Sequence, residues 1–130
     1  MPRFVLLRHE CPPNGEKPSH WDFMLEADGV LWTWKLQELP GPWAAALGLE
    51  VTSDSDDVVV TRLADHRLEY LDYQGPVSGN RGHVSRVDAG EFQWIQQSPS
   101  CLDAELTGNY LLGAVSLTIG VSAEGVLHAG

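Results

Sequence analysis

The sequence predicts an all-β protein, a barrel or sandwich of short antiparallel strands with one or two short helices. Several short stretches alternate apolar and polar residues with period two, the spacing that gives a strand one core face. Turn signals built from Gly, Pro, Asn and Asp separate them. Only residues 43–47 read as helix. Short strands at turn-like intervals with so little helix make a barrel or sandwich. At 130 residues the chain is one domain, residues 1–130, large enough to bury a core without staples.

In chain order, residues 3–9 form a short apolar strand around Phe4-Val-Leu-Leu7. Residues 11–19 carry three prolines and an Asn-Gly pair and form a loop. Residues 20–27 alternate in period two, Asp28-Gly29 is a hairpin turn, and Val30–Leu36 returns as the β-branched and aromatic partner strand. Pro40-Gly-Pro42 breaks the chain. Trp43–Leu47 makes one or two helical turns with Pro42 near the first position, and Gly48 ends it.

Residues 53–57 are an acidic turn that lacks the Gly and distal Glu of a calcium loop. Residues 58–61 and 67–73 read as strands, and residues 75–82 as a glycine-rich connection. Residues 83–88 and 91–96 form a second hairpin turning at Ala89-Gly90. Residues 103–108 and 110–118 give two further strands around Gly108-Asn109, and the tail from Gly120 is undistinguished.

Eight basic residues against eighteen acidic ones give a net charge of −10. Such a surface repels nucleic acid over most of its area, so contact with a polyanion is confined to a locally basic or metal-bearing site. Cys11 and Cys101 are too few for a disulfide framework and read as reduced thiols. The apolar run between Arg3 and Arg8 is too short for a signal core, and no stretch approaches a membrane span. The expectation is a cytoplasmic monomer without membrane contact.

Three constellations carry potential chemistry. On the 20–27 strand His20, Asp22, Met24 and Glu26 share a face opposite Trp21, Phe23 and Leu25. Antiparallel pairing with the first strand brings His9 beside His20. Two imidazoles and a carboxylate suit Zn²⁺ or Mn²⁺ and leave room for water or substrate. An exposed polar strand face accounts for the same residues. Second, on a strand His66 and Tyr70 share a face with Leu68 between them, an acid or phosphate donor beside a phenol; a solvent-facing His and a half-buried Tyr is the plainer account. Third, Gly79-Asn-Arg-Gly-His83 offers close backbone approach and the Arg81 fork, although an ordinary turn has the same composition. Cys11 is a soft donor two residues from His9, with an unligated thiol as the simpler reading.

Taken in order, these segments resemble the 3′-phosphoesterase domain of bacterial DNA ligase D. The resemblance rests on His9, then His20-Trp-Asp-Phe-Met-Leu-Glu26, Gly29-Val-Leu31 and Trp34. It continues through Asp65-His-Arg-Leu-Glu-Tyr70, Tyr73-Gln-Gly75, Gly79–Gly82, Val87-Asp-Ala-Gly90 and Leu106-Thr-Gly-Asn-Tyr-Leu-Leu-Gly113. It covers nearly the whole chain. It implies a small closed β-barrel of short antiparallel strands, with a crater-like Mn²⁺ site that trims nucleic-acid 3′ ends in DNA repair, removing a terminal ribonucleoside and then the 3′-phosphate. A small phosphoester is the other substrate class. Carried over by position, His9, His20 and Asp22 are metal ligands, with Zn²⁺ or another divalent ion as alternative. His66 contacts the phosphate and, with Tyr70, serves catalysis; Glu26 is a secondary helper, Arg81 of the glycine-rich stretch is phosphate-binding, and Arg62 joins it only with a gap in the alignment. The sequence departs from the pattern at Met24 and Val58, where the family carries arginines, and in a longer loop between the two metal histidines. An inert β-barrel that kept the metal site but lost its phosphate clamp is the rival expectation.

Overall fold

The structure, a computed structural model, describes every residue except Asn14, Glu16 and Val121. Parts of the predicted 11–19 loop and of the tail therefore lie outside the described residues. The described strands are β1 (Arg3–Glu10), β2 (His20–Ala27), β3 (Val30–Leu36), β4 (Asp57–His66), β5 (Gly75–Pro76), β6 (His83–Gln97), β7 (Cys101–Gly108), β8 (Leu112–Ile119) and β9 (Glu124–Ala129). One α-helix, α1 (Gly41–Ala46), and one 3₁₀ turn, Leu68–Leu71, complete the fold. Neighbouring strands run antiparallel in the order β1-β2-β3-β4-β9-β8-β7-β6, and β6 returns to β1. Eight strands close a barrel, with β5 added on β6. The predicted all-β barrel is the fold observed.

Strand parity decides what faces in. Leu6, Phe23, Trp34, Val60, Phe92, Ala104, Leu117 and Leu127, one from each barrel strand, converge in a single buried cluster and define the interior. Trp43 of α1 joins that cluster against Phe23, ring centroids 5.1 Å apart. On the opposite face of the wall Val5, Leu7, Met24, Leu31 and Val84 form a second cluster, covered by Leu71 and Tyr70 of the 3₁₀ turn. Part of the outer surface of β1, β2, β3 and β6 is thus itself buried.

Three predicted elements come out differently. The 67–73 segment is not a strand: β4 runs on to His66, and Leu68–Leu71 coils as a 3₁₀ turn. Leu68 and Leu71 are three apart, the repeat of that helix, and only Leu71 is buried. Ala89-Gly90 is not a turn either, because β6 passes straight through it. A Cβ at Gly90 would stand 2.2 Å from the Thr107 carbonyl oxygen, so glycine serves here as clearance between strands. Finally, the tail carries β9, which joins β4 to β8 and closes the barrel. His128, which has no visible partner in the sequence, pairs there with Asp57.

Beside Gly90, buried Asp88 accepts hydrogen bonds from the backbone N–H groups of Asn109, Tyr110 and Leu111 at 3.1, 3.1 and 2.8 Å. That carboxylate organises the β7–β8 connection.

Candidate metal centre

The β1–β2 register places His9 opposite His20 and Leu7 opposite Asp22. Imidazoles and carboxylate consequently emerge together on the outer face, as the period-two spacing predicts. The rings of His9 and His20 lie 4.8 Å apart by centroid. Nε2 of His20 is 3.2 Å from Asp22 Oδ1, and Nδ1 of His9 is 3.7 Å from Asp22 Oδ2.

The remaining ring nitrogens fix the tautomers. Nδ1 of His20 lies 3.1 Å from the Pro18 carbonyl oxygen, and Nε2 of His9 lies 2.8 Å from that of Arg81. A carbonyl only accepts, so those nitrogens carry the protons. In the neutral rings, His20 Nε2 and His9 Nδ1 then present bare lone pairs toward Asp22. Although 3.2 Å from His20 Nε2, Asp22 Oδ1 is buried with no hydrogen-bond partner among the described residues. Asp22 itself is 3% exposed. Three acceptors converge, and among the described residues Asp22 Oδ1 has no donor, an arrangement that calls for a proton or a cation at their centre.

The charge balance points the same way. Beside Asp22 the His9 imidazole is held above its ordinary pKa, against the opposing effect of burial. Burial pushes the Asp22 carboxyl up, and the His20 and His9 rings outweigh it, leaving the carboxyl below its ordinary value. Nitrogen, nitrogen and carboxylate oxygen are a donor set that fits Zn²⁺ or Mn²⁺.

A cavity of about 410 Å³ opens over these residues, and His66, Tyr70, Arg81, Lys17 and Lys35 also line it. His66 reaches the outer face by way of an irregularity. Between the pairs Thr33–Leu63 and Leu31–His66, β4 spends one residue more than β3. The extra residue flips strand parity and turns His66 outward, the usual effect of a β-bulge. Its Nδ1 donates to the Ala64 carbonyl at 2.9 Å, and its ring meets Tyr70 edge-on at 5.6 Å. The two residues therefore meet across a strand end and a 3₁₀ turn, not along one strand. The site lies on the outer wall of the barrel, beside the 3₁₀ turn, the 77–82 connection and the start of β6.

Arg62 and Glu26 stand elsewhere. Arg62 pairs in register with Trp34 and so takes interior parity. It stacks 4.7 Å over the Trp34 ring, pairs with Asp65 at 2.9 Å and lines a different cavity, of about 590 Å³, at the open end of the barrel. Glu26 accepts the Arg3 backbone N–H at 2.9 Å. Neither lines the cavity over Asp22. Met24 does, at 1% exposure, and Val58 belongs to the interior. The Arg81 guanidinium bonds Ser78, through Nε to its carbonyl at 2.7 Å and Nη2 to its hydroxyl at 3.2 Å.

Lys17 and Lys35 line the cavity although no motif singles them out, and Cys11, a free thiol as expected, lies beside the two histidines. Lys35 was within reach, because counting back from the Asp28-Gly29 turn sets it opposite Asp22. No family model and no curated protein matches this chain.

Proposed function

We propose that the protein is a metal-dependent phosphoesterase acting on nucleic-acid 3′ ends or on a small phosphoester. The observation that carries this reading is the orphaned, buried Asp22 Oδ1 set against two lone-pair imidazole nitrogens, within a cavity that also holds His66, Tyr70 and three cationic side chains. His9, His20 and Asp22 would hold the cation, Mn²⁺ or Zn²⁺. When bound, it supplies Lewis acidity toward a phosphoryl oxygen and toward attacking water.

The chain's own groups do the rest. Lys17, Lys35 and Arg81 attract one phosphate in a protein whose overall charge is −10. The Ala64 carbonyl occupies His66 Nδ1–H, so in the imidazolium form Nε2–H is the proton that the ring can give to a departing oxygen. Tyr70 braces that ring and adds a hydroxyl at the same wall. So small a basic patch fits a strand terminus better than a length of duplex.

The test uses a primer ending in a 3′-phosphate. With Mn²⁺ or Zn²⁺ the expected product is a 3′-hydroxyl end, and a chelator stops the reaction. His66→Ala should lower the rate by about 10²–10⁴-fold. Broadening of the His9 and His20 resonances by Mn²⁺ tests the metal centre separately. Resonances untouched at saturating metal would sink the reading.

One observation favours the inert-barrel alternative. Met24 fills the cavity wall with an apolar side chain where the resembled family has a phosphate-clamping arginine. If metal binds and the primer stays intact, Met24→Arg separates the cases: activity gained by that variant means that the clamp alone is missing.

A further inference from the structure

Cys11 stands just past the end of β1. One ligand atom each from His9, Cys11 and His20 lies within 4.8 Å of the other two, and the Asp22 oxygens approach both imidazoles at 3.2 and 3.7 Å. The thiol is positioned by the fold: the Cys11 backbone N–H donates to Ser19 Oγ at 2.9 Å, which ties the two ends of the 11–19 loop together. Both loop ends continue directly into the strands that carry His9 and His20. The side chain also lines the cavity that Asp22 lines, where Asp22 Oδ1 has no hydrogen-bond partner among the described residues.

We infer that the Cys11 thiolate is a fourth ligand of this centre and makes it selective for Zn²⁺ over Mn²⁺. This rests on the metal-centre reading above and narrows it. The chemistry behind it is donor softness. Imidazole and carboxylate accept either ion, but a thiolate strongly favours zinc or cobalt over manganese. On binding, the sulfur–hydrogen bond breaks, a sulfur–metal bond forms, and the proton leaves to solvent. His9, Cys11, His20 and Asp22 would then complete a four-ligand N₂SO set. A substrate oxygen would enter either as a fifth ligand or by displacing one of the four.

Cobalt(II) titration of the full chain tests this with a readout independent of activity. The expected spectrum contains visible d–d bands and a near-ultraviolet thiolate-to-cobalt charge-transfer band. Cys11→Ser and Cys11→Ala should lose the charge-transfer band, keep d–d bands, and weaken Zn²⁺ binding by at least about tenfold, since even outer-shell losses cost that much. Their Mn²⁺ affinity should change little. Cys101→Ser, whose sulfur sits beside Asp103 on β7, should keep the full wild-type spectrum. Visible cobalt bands without a charge-transfer band, identical in wild type and Cys11→Ser, would overturn the thiolate ligand and leave the His/His/Asp centre standing. No cobalt spectrum at all would overturn both.

Discussion

Asp22 and His9 set how the centre responds to pH. Asp22 has its pKa lowered from an ordinary 3.8, so its contribution to stability is present above that value and is lost as pH falls through the lower, folded-state pKa. His9 has its pKa raised from 6.5, so its contribution is complete below 6.5 and is lost as pH rises through the higher, folded-state pKa. Metal-free protein should therefore be most stable between those limits and lose stability on the alkaline side. Metal binding runs the other way, because His9 must shed its proton to coordinate. Chemical denaturation from pH 4 to 9, with and without Zn²⁺, checks this, and the metal-induced gain should grow with pH. Asp22→Asn should remove both effects: metal affinity falls by at least about tenfold, and the alkaline loss of stability flattens.

At the scale of elements, loop chemistry holds the histidines in place. Gly82 has φ of +101°, and a Cβ there would stand 2.0 Å from the Glu10 carbonyl oxygen, on the last residue of β1. Its neighbour Arg81 supplies the carbonyl that fixes His9. Gly82→Ala should cost roughly 1–3 kcal/mol of stability and weaken metal binding without altering a ligand. Thermal unfolding and zinc calorimetry on one variant read the two effects. The same elements explain what the sequence could and could not disclose. The β2–β3 hairpin is legible because Asp28-Gly29 fixes its register, and from that register follow the shared face of His20 and Asp22 and the position of Lys35. The 68–71 turn is not legible, since Leu68, Tyr70 and Asp72 imitate strand alternation while Leu71 alone supplies the burial. Gly90 has the composition of a turn and the role of a spacer. Arg81 meets His9 only because β6 returns to β1, a pairing far apart in sequence.

For the whole molecule, closure depends on β9. Its inward residues Leu127 and Ala129 are separated by an outward histidine, and its partners β4 and β8 include one remote in sequence. A weak local pattern therefore carries a large structural duty. Leu127 is fully buried, and Leu127→Ala should cost about 2–5 kcal/mol. One interior shared by all eight strands also predicts one transition. Urea unfolding followed by tryptophan fluorescence, from Trp34 and Trp43 in the core, should coincide with loss of β-sheet signal. Separate midpoints would show that the outer cluster beneath the 3₁₀ turn melts by itself.

The two-sided wall at β1 and β2 has a consequence for how the chain finds its pairing. His20 and Asp22 alternate with Trp21 and Phe23, and both faces of this wall are covered. Sliding β2 by one residue against its neighbours would drive an imidazole and a carboxylate into the oily interior and turn Phe23 out beneath the 3₁₀ roof. The cost of stranding Asp22 there, several kcal/mol, far exceeds that of a misplaced apolar side chain. The carboxylate thus disfavours the slipped register whether or not metal is present, and Asp22→Ala should lower that penalty, read as added heterogeneity in the amide NMR spectrum of the metal-free protein.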